Sequence, residues 1–156
     1  MLDKPLLEQC ESNGLRLQLA LFDIDDFKRV NDIYGHRVGD LVLKEVAAKV
    51  GCLIGLNDFA ARYGGEEFAV FLRIKAFRRP TLRWRTCGWS YSYGDPYAGG
   101  KPITASIGLC DYQRGDGKEM LFRKTDHALY SAKRGGKNAV VTAAVSRDDD
   151  PRVSYG

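Results

Sequence analysis

Carboxylates gather at two places where the chain is otherwise apolar. "LRLQLALFDID" (residues 15–25) runs apolar until it ends in Asp23 and Asp25, and "RYGGEEFAVF" (62–71) sets Glu66 and Glu67 directly after Gly64 and Gly65. Each has an ordinary explanation alone, since strand ends often finish in solvated aspartates and a double glycine makes a common hairpin tip. If the two strands lie side by side, however, Asp23 faces Glu66 across the sheet edge. Close carboxylates without compensating bases repel, and a hard divalent cation is the usual reason for tolerating them. Magnesium keeps several of its waters and takes other ligands from substrate phosphates, so a nucleoside triphosphate fits such a site.

The stretch after Asp23 supplies candidates for holding that nucleotide. "DIDDFKRVNDIYGHRVGD" (23–40) reads as a turn, a short helix and a second turn carrying Phe27, Lys28, Asn31, His36 and Asp40. Backbone N–H groups at such a turn can cradle phosphates, helped by Lys28. Asn31 and Asp40 can read a base edge. A carboxylate accepts from the paired N–H groups of guanine, which adenine does not offer as a pair. Asp40 is also placed to cap the helix that follows, and His36 has a plain reading as a loop residue.

These residues need elements to position them. Residues 6–12 read as the end of a helix broken at Asn13-Gly14, and 15–25 as a buried strand. From Asp40 to Ile54, Leu43, Val46, Ala47, Val50, Leu53 and Ile54 keep helical spacing, with Lys44, Glu45 and Lys49 opposite. "DFAARY" and "EFAVFLRI" flank Gly64-Gly65 as a hairpin with a two-residue turn that calls for positive backbone angles. A strand over 102–110, a loop "QRGDGK", a helix over 118–136 with a stripe of Leu121, Phe122, Ala128, Leu129 and Ala132, and a strand "NAVVTA" complete the order. The expected fold is therefore α/β (α+β), a mixed and mainly antiparallel sheet flanked by helices.

The 156 residues suffice for one domain, expected over 1–142, with 143–156 as a disordered tail. No apolar run approaches the ~20 residues that span a bilayer, and the N-terminus has no secretory pattern, so a cytoplasmic protein without membrane contact is expected. Cys10, Cys52, Cys87 and Cys110 are scattered and suggest neither zinc nor disulfides. The net charge of +4 is local: residues 73–94 hold six basic residues and no acid. Trp84, Trp89 and Tyr91 within that stretch could stack bases, but a basic irregular segment is ordinarily a solvated loop, and nucleic acid is not expected as a partner.

Four motifs in order, "LALFDIDDFKRVNDIYGHRVGD", "ARYGGEEFAVFL", "ITASIGL" and "ALYSAKRGGKNAV", resemble those of GGDEF-domain diguanylate cyclases, here with GGEEF at 64–68. The resemblance implies a ferredoxin-like palm akin to adenylyl cyclase catalytic domains. It implies condensation of two GTP into cyclic di-GMP with release of two pyrophosphates, each subunit of a transient homodimer presenting one GTP. By the same resemblance Asp23, Glu66 and the Ile24 carbonyl would hold Mg²⁺ or Mn²⁺, and Glu67 would be the base for the 3′-hydroxyl or a second-metal ligand. Phe27, Lys28 and Lys133 would meet phosphates, Asn31 and Asp40 would read guanine, with His36 beside them, and Lys137 stands where arginine is commoner. The rival reading is a catalytically impaired module that binds GTP or a partner.

Three departures from the family pattern carry expectations of their own. Gly55 replaces the arginine of the family's Arg-x-x-Asp product-inhibition site, with Asp58 retained, so that site is expected to be absent. The family's leading "LTGLxNR"-like motif has no counterpart, and control is expected from an upstream sensory domain or partner not in this chain. Residues 73–100 lack the helical period expected of a helix covering one sheet face.

Overall fold

The computed structural model describes residues 12–75, 90–91 and 102–144. In chain order these form β1 (Leu15–Ile24), α1 (Phe27–Tyr34), α2 (His36–Leu53), β2 (Phe59–Arg62), β3 (Glu67–Lys75), β4 (Ser90–Tyr91), β5 (Ile103–Asp111), α3 (Lys118–Arg134) and β6 (Val140–Thr142). The sheet runs β2-β3-β1-β5-β4, and β6 adds to β5. All pairings are antiparallel except β5 with β6, giving the mixed, mainly antiparallel α+β sheet that the sequence implies.

β1 is the central strand, buried on both faces, which is why it reads as an almost unbroken apolar run. Ala20, Phe22 and Ile24 join Val42, Val46, Val50, Val70, Ile107 and Leu109 in the larger core, beneath α1 and α2. Leu19 and Leu21 face the other way and pack with Ala69, Cys110, Leu121 and Leu129 beneath α3. α3 lies so close to β5 at Gly108 that a Cβ there would strike the Thr125 carbonyl oxygen and the Leu129 amide, and come within 2.9 Å of the Leu129 Cα. Glycine at that position lets helix backbone rest on strand backbone.

The helices depart in detail from the sequence expectation. α2 begins at His36, four residues before the expected start, with Gly35 at φ +82° preceding it. Asp40 is therefore inside the helix and caps nothing. The buried stripe is Val42, Leu43, Val46, Val50 and Leu53, while Ala47 is exposed. On α3 the expected stripe gains Thr125, whose hydroxyl donates to the Leu121 carbonyl at 2.7 Å and so is buried without an unmet hydrogen bond. Phe122 is only partly buried and meets Phe71 edge-on, with centroids 5.9 Å apart.

Gly14 turns at φ +61° as the Asn13-Gly14 break requires, and residues 6–11 of the expected helix lie outside the described residues. Past β6, the Ala143 N–H still donates to the Leu109 carbonyl at 2.7 Å; residues 145–156 of the expected tail lie outside the described residues. So do 76–89 and 92–100 of the atypical stretch 73–100, and Lys101, together with Cys10 and Cys87. Cys52 and Cys110 are free thiols. No helix among the described residues is long and apolar enough to cross a membrane.

Candidate active site

The site forms where β1 and β3 end together. Phe22 pairs with Phe68 in register, their rings stacked at 4.9 Å and 7°, and this fixes the next pair outward as Asp23 opposite Glu67. The expected partner was Glu66. Side chains alternate faces along a strand, so Asp23 and Glu67 both point to the α3 side with Leu21 and Ala69. Glu66 instead lies in the turn, where its carbonyl accepts the Ile24 N–H at 3.3 Å.

The turn itself works differently from the expected one. Tyr63 N–H donates to the Glu67 carbonyl at 3.1 Å, enclosing Gly64, Gly65 and Glu66, and neither glycine has a positive φ. Gly64 is required for space: a Cβ there would collide with the Glu67 carboxylate and sit 3.1 Å from the Glu67 Cβ. The missing side chain is what lets Glu67 fold over the tip. Arg62, which the sequence reading passed over, braces the turn by donating to the Gly65 carbonyl at 2.7 Å and to Gly64 at 3.2 Å.

Lys133, in the last turn of α3, places its Nζ 2.7 Å from Asp23 Oδ2. Glu66 is partly shielded from water and lies near the Asp23 charge; both push its pKa above the usual glutamate value, Lys133 pulls it back, and Glu67 adds to the rise. Tyr63 is pushed up to about 12, first by burial and then by the charges of Glu67, Asp126 and Asp23. Its phenol stays protonated beside the acidic tip.

Asp23 and Asp25 prove unlike. Asp25 is buried and accepts from Thr104 Oγ1 at 2.6 Å, Ser106 Oγ at 2.7 Å and the Asn138 N–H at 3.0 Å. It ties the end of β1 to β5 and to the loop after α3. In that loop Lys137 and Asn138 both adopt positive φ, 65° and 45°. Lys137 reaches Asp26 Oδ1 at 2.6 Å, and that hydrogen bond is the main reason its pKa is raised.

Two residues past β1, α1 opens with Asp26 in a left-handed conformation at φ 54°. Lys28 is exposed in its first turn. Phe27 is 7% exposed, its ring part of the larger core, and the first N–H groups of α1 have no acceptor within the helix. Asn31 is half-buried, its side chain lying so close over α2 that a Cβ on Gly39 would strike Asn31 Oδ1. His36 and Asp40 are exposed on α2 one turn apart. Asp40, Lys44 and Arg62 border a groove of about 430 Å³ between α2 and β2, otherwise lined by apolar side chains such as Leu43, Val50 and Phe68.

Among the described residues, no three His, Cys, Asp or Glu side chains already surround a metal-sized position. Asp23, Glu66 and Glu67 thus share one end of the sheet without forming a ready-made cage. The donor set nevertheless fits a hard divalent cation: all-oxygen ligands, a Glu66 that feels its neighbours' repulsion, and an ammonium seated on Asp23.

At the opposite end of the hairpin, Asp58 accepts the Gly55 N–H and the Arg73 N–H, both at 2.8 Å, one on each carboxylate oxygen.

The comparisons with known proteins agree with this arrangement. Among curated proteins, the chain is 38% identical over 138 residues to diguanylate cyclase DgcP of Pseudomonas aeruginosa, covering 84% of this chain and 20% of that protein. It is 36% identical over 145 residues to the response regulator PleD of Caulobacter vibrioides, covering 89% and 32%. The chain thus spans a fifth to a third of these relatives' length. Among solved structures, the GGDEF domain of DgcB from Caulobacter crescentus in complex with c-di-GMP superposes with a TM-score of 0.75 at 34% identity, covering 87% of this chain and 82% of that one. The active GGEEF domain of a diguanylate cyclase from Vibrio cholerae gives 0.76 at 28% identity, covering 90% of each chain. A family profile described as "Diguanylate cyclase, GGDEF domain" matches residues 2–139, and the chain belongs to that family.

Proposed function

We propose that this domain joins two GTP molecules into cyclic di-GMP and releases two pyrophosphates, with one GTP held by each subunit of a homodimer. The observation that carries the reading is the β1–β3 register, which sets Asp23 opposite Glu67 with Lys133 on Asp23 and the α1 N-terminus two residues on. Asp23, Glu66 and the Ile24 carbonyl would hold Mg²⁺ or Mn²⁺. Bound there, the cation would neutralise charge on the α-phosphate and the departing pyrophosphate.

The chain's own groups do the rest. Glu67, folded over Gly64, is the carboxylate to accept the proton of the 3′-hydroxyl. The first N–H groups of α1, with Lys28, cradle phosphate, and Lys133 and Lys137 approach it from the other side. Lysine at 137 offers a point charge where a guanidinium would offer a planar fork, so its grip is looser. Asn31, pinned over Gly39, and the adjoining Asp40 read guanine, with His36 at the rim. Both oxygens of Asp58 serve the backbone, which with Gly55 supports the absence of a product-inhibition site. A reaction consuming GTP belongs in the cytoplasm, and control of dimerisation falls to a sensory domain or partner.

Incubation with GTP and Mg²⁺ at several protein concentrations, followed by chromatography, tests this. Cyclic di-GMP should appear at a rate rising faster than linearly with protein, and Glu67→Gln should slow it by orders of magnitude. Measurable GTP affinity with no product would leave a nucleotide-binding module in place of the enzyme.

A further inference from the structure

Two of the three lysines expected to grip phosphate, Lys133 and Lys137, are already engaged by carboxylates of the same site. Lys133 Nζ sits 2.7 Å from Asp23 Oδ2, and Lys137 Nζ 2.6 Å from Asp26 Oδ1. Asp23 is nearly buried, with its side chain 9% exposed, whereas the Lys133 side chain is 37% exposed. A nearly buried carboxylate is costly to leave without a counter-charge or hydrogen-bond donors. The lysine ammonium supplies one from a long, half-solvated stem that can swing away.

We propose that Lys133 is an exchangeable counter-ion that occupies the metal's place on Asp23 until a divalent cation arrives with nucleotide. The proposal rests on the reading of Asp23 as a metal ligand and adds a consequence for the order of binding. Mg²⁺ coordinates a carboxylate oxygen at about 2.0–2.1 Å, and a divalent cation there repels an ammonium hydrogen-bonded to the same group. The two therefore exclude each other from Asp23 Oδ2. Metal alone must evict Lys133 into water with nothing to receive it. Metal carrying a triphosphate offers the evicted ammonium an anionic partner within reach of the same helix end. Metal and nucleotide are thereby coupled through one side chain, and the coupling acts equally in both directions. The site stays closed to metal alone and opens to metal with substrate.

The test reads metal binding without turnover. Free Mn²⁺ is followed by electron paramagnetic resonance during titration into the full chain, with no nucleotide present. Wild type should bind weakly, and Lys133→Met should bind roughly tenfold tighter, within the usual range of site-to-site coupling. Lys133→Arg keeps the positive charge and should stay weak; Lys133→Gln is a second neutral variant should the methionine perturb folding. In the Lys133→Met background, Asp23→Asn should abolish the gain. With 3′-deoxy-GTP present, which cannot be joined through its missing hydroxyl, wild-type Mn²⁺ affinity should rise far more than that of Lys133→Met. Equal nucleotide-free affinity of wild type and both neutral variants, with Asp23→Asn still weakening all of them, would overturn the exchange while leaving the metal site standing. Mn²⁺ affinity indifferent to Asp23→Asn in every background would overturn both.

Discussion

The β2–β3 hairpin carries a carboxylate at each end, and the two ends treat it in opposite ways. At the Asp58 end, both oxygens are taken by backbone N–H groups of the hairpin and its approach, from Gly55 and Arg73. At the Glu66–Glu67 end, no hydrogen bond among the described residues reaches either carboxylate, and the nearby cation, Lys133, comes from α3. Asp25 and Asp23 repeat the contrast two residues apart, one held by three neutral donors and the other by a single movable ammonium. A carboxylate saturated by donors that cannot leave is part of the fold. One balanced by a side chain that can leave remains available for chemistry.

The sharpest break of that comparison exchanges function for stability at the two ends. Glu67→Gln should lower the rate of cyclic di-GMP formation by about 10²–10⁴-fold, the usual worth of a general base, while the urea midpoint barely moves. Asp58→Ala should do the reverse. Removing it leaves the Gly55 and Arg73 N–H groups without their acceptor, at a cost of about 1–3 kcal/mol. The urea midpoint should fall with the slope unchanged, and activity per folded molecule should persist. Titration with cyclic di-GMP sharpens the point: any tight product binding should survive Asp58→Ala, and its loss would restore an inhibitory role to Asp58.

Gly64→Ala probes the tip from within. Because Gly64 has no positive φ, alanine carries no left-handed backbone strain there, and its chief consequence is to crowd the Glu67 side chain, the carboxylate most of all. The expected result is a fall in kcat of about tenfold with KM for GTP and the thermal midpoint nearly constant, since small displacements of a catalytic group are costly. A large loss of stability with unchanged kcat would make Gly64 an ordinary turn residue.

Legibility in the sequence followed the same division. Period and composition revealed β1, the hairpin, α3 and the side-by-side placing of the two acidic ends, because burial imposes alternation on strands and a stripe on helices. The start of α2 was missed because Gly35, with no side-chain cap, precedes it in place of a capping side chain. The purpose of Gly64 was missed because a glycine admitted for room looks the same in sequence as one admitted for its backbone angle. Phe27 shows a related limit: the motif names the residue, and only burial tells that its ring belongs to the core. The ties from Asp25 to Thr104, Ser106 and Asn138, and from Arg62 to the tip, join positions whose spacing in the chain carries no period at all.

The smallest effect tests the comparison most finely. Glu66 has its pKa raised by partial burial and by Asp23, so the folded chain holds that proton to higher pH than the unfolded chain does. Stability therefore falls as pH rises from the unfolded value through the folded one, and the penalty persists above it. Glu66→Gln removes the penalty. Near neutral pH the variant should melt slightly above wild type, by less than about 1 kcal/mol because solvent still screens a partly exposed group. In acid, where Glu66 is protonated in both states, the difference should vanish. The same substitution should weaken Mn²⁺ binding, so the residue that costs the empty fold a little would be one the loaded site requires. A variant that melts lower than wild type at neutral pH would instead group Glu66 with Asp58, as a carboxylate the fold depends on.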